Sequence, residues 1–156
     1  SDRERLMRLC RASSSMPLAS PMVNIDGVPY LDGGVADSVP IRHALKSGNA
    51  KIIVVLTRNP GYRKKPVSKG TAKLYRKAYK SYPKMAACAV HRNRMYNRTM
   101  ELVEKLEAEG RIYVIRPMVP TVSRLERDYD KLMSFYEHGY ALMKKEYANL
   151  LRYMEE

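Results

Sequence analysis

A chain of 156 residues with 45% apolar side chains is long enough for one domain with a sizeable core. No apolar run approaches the length of a membrane helix, and Ile52-Ile53-Val54-Val55-Leu56 is only a strand-sized block. The net charge of +13 is unevenly placed: Ser38 to Met100 holds sixteen Lys and Arg and no acid, against thirteen basic and sixteen acidic residues elsewhere. Such a field attracts phosphate, on an anionic lipid surface or on nucleic acid.

Trp is absent and Phe occurs once against twelve Tyr, so buried aromatic positions bring hydroxyls that need partners. Cys10 and Cys88 lie far apart and make no metal spacing. They read as reduced, partly buried thiols of a cytoplasmic protein. No secretory signal is visible and the first residue is not Met, which reads as a fragment or a processed product.

Asp2 to about Ser13 reads as a helix with Leu6, Leu9 and Cys10 on one side. Asp26-Gly27 between Val23-Asn24-Ile25 and Val28-Pro29-Tyr30-Leu31 predicts a hairpin, with Pro29 at an edge. Ser38 and Pro40 open a short helix ending near Lys46, with Gly48 behind it. Lys51 to Thr57 predicts a strand buried on both faces of a parallel sheet. After a Pro/Gly/basic loop, Thr71–Tyr82 and Lys84–Glu109 predict helices broken at Pro83, with a Glu101–Lys105 pair on the second. Ile112 to Ile115 predicts a strand. Asp128 to Tyr153 predicts one long helix whose stripe of Tyr, Leu and Met packs into the core. Strands alternating with helices argue an α/β fold with a mainly parallel sheet, thin for so many helices, and no domain boundary stands out within 1–156.

The chemistry-bearing stretch is Leu31-Asp32-Gly33-Gly34. An Asp just past a strand, with two glycines behind it, lets other backbone approach a carboxylate. The nucleophilic Ser such an Asp would serve needs a sharp Gly-x-Ser-x-Gly turn, and the chain holds none. On spacing alone Asp32-Gly33-Gly34 is a turn. Asp26 and Asp37 read as turn residues, and Ser13, Ser14 and Ser15 as loop and cap hydroxyls. His43, His91 and His138 share no metal-ligand spacing and read as surface or packing residues.

The ordered series Ala12-Ser13-Ser14-Ser15-Met16-Pro17, Pro21, Gly27-Val28-Pro29-Tyr30-Leu31-Asp32-Gly33-Gly34 and Val39-Pro40 resembles bacterial patatin-like phospholipases. The Ile52–Arg58 strand, Gly61-Tyr62-Arg63-Lys64-Lys65-Pro66 and Leu125-Glu126-Arg127-Asp128 extend the resemblance over most of the chain. It implies the C-terminal half of a three-layer α/β/α hydrolase domain, 1–156, whose N-terminal half is absent. It also implies acyl-ester hydrolysis of a phospholipid or lysophospholipid by a Ser–Asp dyad. Asp32 is the base, Gly33 and Gly34 are the glycines behind it, and no metal or cofactor is involved. The Ser and the oxyanion loop would come from the missing half, leaving the isolated chain inactive. Ala19-Ser20 stands where many relatives carry a bulky aromatic.

A carboxylate can take a serine proton directly where desolvation makes it basic enough. The alternative reading is a non-catalytic basic module. In the Arg58–Arg98 region, Lys69, Lys73, Arg76, Lys77, Lys80 and Lys84 interleave with Tyr75, Tyr79 and Tyr82. This reads first as a solvated helix face with inward tyrosines, second as a peripheral contact to an anionic membrane, and third as a nucleic-acid surface.

Overall fold

Asp26 and Gly27 both take positive φ, +52° and +81°. That is the two-residue turn whose twist suits antiparallel strands. In the computed structural model, which describes residues 2–123 and 125–155, the turn joins β1 (Val23–Ile25) to β2 (Val28–Tyr30). Asn24 lies opposite Pro29, and β2 pairs with β1 alone, so Pro29 sits on an edge as the sequence predicts. Val23 and Ile25 bury against Ala12 of α1 (Asp2–Ser13). A single 3₁₀ turn, Gly33–Val35, follows.

The chain then forms α2 (Ile41–Lys46), β3 (Ile53–Val55), α3 (Lys69–Ala78), α4 (Pro83–Ala108), β4 (Tyr113–Ile115) and α5 (Tyr129–Glu155). The architecture is mixed α/β with two small sheets: the β1–β2 hairpin and a parallel β3–β4 pair. These elements fall into two compact units, Ser1–Pro40 with Lys64–Thr99, and Ile41–Arg63 with Met100–Glu156.

In the first unit Ser68 caps α3, its Oγ accepting the Thr71 N–H at 3.1 Å. The break before Pro83 is as predicted. Pro opens α4, where its missing N–H has no intrahelical role. The segment before α3 docks on α4 through Asn97, whose amide accepts from the Lys64 N–H at 2.8 Å and donates to the Lys64 carbonyl at 3.0 Å. Ala72, Tyr79, Ala86, Ala89 and Tyr96 are buried there.

In the second unit β3 and β4 pair in register, Ile53 opposite Tyr113 and Val55 opposite Ile115. Met100, Val103 and Leu106 of α4 supply buried apolar surface. Tyr153 of α5 accepts the Ile52 N–H at 3.2 Å and reaches the Ile52 and Arg111 carbonyls at 3.3 Å, closing the strand starts. Asn59 donates to the Pro117 and Val119 carbonyls at 3.0 and 2.8 Å, tying together the loops that leave β3 and β4. Arg63 grips Glu104 with both arms of its guanidinium, at 2.9 and 2.6 Å. Arg116 pairs with Glu107.

Several expectations are corrected. The strand predicted over Lys51–Thr57 shortens to β3. There Ile52 and Val54 are buried, while Ile53 and Val55 are exposed because no second layer of this chain covers that face. The stripe on α5 is not core: no residue of α5 is buried, and Tyr129, Tyr136, Tyr140 and Tyr147 are exposed. Helical periodicity marks an apolar face but not whether anything lies on it. Ser38 does not cap α2, since its Oγ donates to the Gly34 carbonyl at 2.8 Å. Lys105 pairs with Glu109 rather than with the predicted Glu101. Both cysteines are free and exposed, not partly buried.

Glu104 gives a pH-dependent test. The hydrogen bonds from Arg63, and then its charge, hold the Glu104 carboxyl below its usual range. A carboxylate depressed in the folded state adds stability above its unfolded pKa and loses that stability as pH falls through the folded one. Glu104→Gln should lower unfolding free energy by about 1 kcal/mol at pH 7 and progressively less towards pH 3. Urea denaturation at both ends of that range checks this, and a pH-independent difference would contradict it.

Candidate active site

The site is built where α1 ends. The last carbonyls of a helix lack intrahelical partners. Here the Ser14 hydroxyl donates to Cys10 at 2.6 Å and the Ser15 hydroxyl to Arg11 at 2.8 Å. The serine run therefore serves as helix-end hydroxyls, as the sequence reading has it. The Ser15 carbonyl then accepts the backbone N–H of Asp32 at 2.9 Å, which joins the end of α1 to the chain leaving β2.

Between them the chain turns sharply. Leu18 holds φ +67°, a left-handed conformation costing about 1–2 kcal/mol for a residue with a Cβ. Its N–H donates to the buried Tyr79 hydroxyl at 2.8 Å, and the Ala19 and Ser20 N–H groups turn back to the Met16 carbonyl. Tyr79 answers the demand that a Tyr-rich, Trp-free composition makes: a buried ring whose hydroxyl has a structural partner.

Asp32 is half-buried, just past β2. It caps the 3₁₀ turn: Oδ1 accepts the Gly34 N–H at 2.7 Å, and its carbonyl accepts the Val35 N–H at 3.1 Å. Val35 is buried and anchors the turn. Among the described residues no donor reaches Oδ2. One oxygen is thus fixed and the other is unengaged.

The two glycines are not equivalent. A Cβ at Gly34 would sit 3.0 Å from Oδ1 of Asp32, a tight contact that the carboxylate would have to shift to relieve. A Cβ at Gly33 would meet nothing within 4 Å. Ser38 buttresses the turn from behind through the Gly34 carbonyl, a role the sequence reading missed because its cap pattern pointed at α2. Asp37 accepts the Val39 N–H at 3.2 Å and is the turn residue expected. Asp26 pairs with Arg5 at 2.9 Å on the surface.

His43 and His91 are exposed, on α2 and α4, and His138 on α5 accepts the Met118 N–H at 3.2 Å. Among the described residues no group of His, Cys, Asp and Glu is arranged to hold a metal. His138 also lines a hollow of about 500 Å³ beyond the carboxyl end of β4, with Val119, Thr121, Ser123, Glu126 and Phe135. Loops at strand carboxyl ends are where open α/β sheets take ligands. Of its lining the sequence reading names Glu126, as part of a motif, and His138, as a surface or packing residue, and gives neither a binding role.

Residues 1–45 match the patatin-like phospholipase family, and residues 82–155 match a domain of unknown function, DUF6363. The phospholipase match contains α1, the hairpin and the Asp32 turn. The likeness is thus carried by the first part of the chain, a narrower stretch than the motif series implied. Among curated proteins, the uncharacterized protein YjjU of Escherichia coli (strain K12) is 32% identical over 56 residues, 35% of this chain and 16% of that protein. The match spans about a sixth of that relative's length. No helix among the described residues is long and apolar enough to cross a membrane.

The asymmetry of the glycine pair is testable. Gly34→Ala should push Oδ1 off the Gly34 N–H and lower stability by about 1 kcal/mol, whereas Gly33→Ala should stay within about 0.5 kcal/mol of the parent. Thermal unfolding of the two variants decides it; equal effects would refute the assignment. Tyr79→Phe leaves the Leu18 N–H without its acceptor and should cost about 1–2 kcal/mol in the same assay.

Proposed function

We propose that this chain supplies the base of a patatin-like acyl-ester hydrolase acting on phospholipid or lysophospholipid esters. Asp32 works on a Ser hydroxyl carried by another segment of a longer protein. The observation that supports the reading most is the geometry of Asp32: backbone and Oδ1 fixed, Oδ2 unengaged, within the stretch that matches the phospholipase family. In this reading the β3–β4 pair is part of a larger, mainly parallel sheet layered between helices. The exposed Ile53 and Val55 then lie against elements of the same protein outside this sequence.

In the proposed reaction Oδ2 of Asp32 accepts the Ser proton as Oγ bonds to the ester carbonyl carbon. The carbonyl π electrons move to oxygen, where backbone N–H donors must hold the charge. Collapse expels the alcohol, which takes the proton back from Asp32 and leaves an acyl-serine. Water repeats the sequence: Asp32 takes its proton, the acyl–Oγ bond breaks, and the fatty acid leaves as Ser regains its proton. Holding Oδ1 on the Gly34 N–H orients the second oxygen without a third side chain, the orienting part that the Asp plays for the His in a triad.

The test is Asp32→Asn in the full-length polypeptide that carries the nucleophile. Asn keeps the shape and can still accept the Gly34 N–H, but it cannot take a proton. Hydrolysis of a short-chain nitrophenyl ester should fall by about 100-fold or more, with the thermal midpoint little changed. Undiminished turnover would reject Asp32 as the base, and so would robust turnover by the 156-residue chain alone.

A further inference from the structure

Lys69, Lys73, Arg76 and Lys77 recur at steps of four, three and one residues, so they share one face of α3, and Lys80 follows in the turn just past its end. All five are exposed, while Ala72 and Tyr79, which adjoin the stripe on one side, are buried. None of the five takes part in an ion pair among the described residues. No acid occurs from Ser38 to Met100, so along the chain this stripe meets its first acids only at Asp37 and Glu101. Exposed Leu74 and Tyr82 flank it.

The stripe leads into a built concavity. Arg76 and Lys80 line a hollow of about 300 Å³ together with His91 of α4, and Pro83, Ala86 and Val90 supply its apolar lining. Two permanent cations and an imidazole beside an apolar wall suit a phosphate ester that bears a hydrocarbon-like neighbour.

We propose that the basic face of α3 is a docking surface for an anionic phospholipid bilayer, with one headgroup phosphate seated between Arg76, Lys80 and His91. The partner is chosen by charge and by shape. A straight helix with a single cationic face, flanked by a Leu and a Tyr, lies flat on a surface at the level of the headgroups. A polynucleotide would be held by the same cations, and preferring the bilayer rests on the acyl-hydrolase reading above. Docking does not need Asp32, so binding and turnover can fail separately.

The experiment is co-sedimentation of the chain with phosphatidylcholine vesicles and with mixed phosphatidylcholine/phosphatidylglycerol vesicles. Parallel titrations use double-stranded DNA and single-stranded RNA. Retention should require phosphatidylglycerol and fall steeply between about 0.1 and 0.5 M salt. Arg76→Glu/Lys80→Glu should weaken it by at least about 10-fold, while the same charge change at Lys145 and Arg152 on α5 should cost less than about threefold. If circular dichroism shows that the Glu pair has lost helix, Arg76→Gln/Lys80→Gln replaces it and should still weaken binding by about fivefold. Equal losses from the two pairs, equal retention on neutral vesicles, or tighter binding to DNA or RNA than to the anionic vesicles would each overturn the proposal. An Asp32→Asn protein that docks normally without hydrolysing ester would leave the surface standing and confine any failure to the chemistry.

Discussion

The hydrogen bond from the backbone N–H of Asp32 to the Ser15 carbonyl organises the part of this molecule that matches the phospholipase family. It ties the exit of the hairpin to the end of α1. With that anchor in place, Oδ1 of Asp32 can reach the Gly34 N–H and close the 3₁₀ turn beside buried Val35. A hydrogen bond to a carboxylate is worth about 1.5–3 kcal/mol, enough to keep the side chain in one rotamer. Loss of the Ser15 contact would release the carboxylate's position and the turn together. The tight approach at Gly34, the Ser38 buttress and the strained Leu18 all surround this one junction.

Tyrosine hydroxyls act as polar staples throughout the fold. Tyr79 receives the N–H of strained Leu18, and Tyr153 bridges the starts of β3 and β4. Tyr113 donates to Glu146 at 2.6 Å. Burial, and then that carboxylate, push the Tyr113 hydroxyl up to about 12, while the hydrogen bond lowers Glu146. A chain without Trp and with a single Phe meets its aromatic packing with rings that each carry a polar atom. The structure places the Tyr79 and Tyr153 hydroxyls on backbone groups and the Tyr113 hydroxyl on a carboxylate.

The charge pattern divides labour along the sequence. Acids lie outside 38–100, where they make the pairs Arg116–Glu107 and Arg5–Asp26 and reach one cation of the block in Arg63–Glu104. The acid-free block leaves α3 with an unneutralised face. Surface cations of this kind add little to folding. Keeping five of them along one stripe costs some self-repulsion, which a phosphate-bearing partner would relieve.

Local rules made much of the fold legible. Asp26-Gly27 set a hairpin because both residues tolerate positive φ, Pro83 set a helix start, and the apolar runs set β3 and β4 to within a few residues. The Asp32 turn was legible as a carboxylate followed by glycines. Its geometry was not, since the Ser15 contact depends on how distant backbone folds back. Periodicity found the apolar face of α5 and could not say that this face lies exposed, because burial is a property of the neighbour and not of the stripe. The amino-acid order alone determined element type, turn chemistry and the separation of charge, all of which act over a few residues. Only the tertiary structure decided that the Asp32 N–H is held by the Ser15 carbonyl and which tyrosine holds the strained loop, because each follows from atoms brought together across the chain.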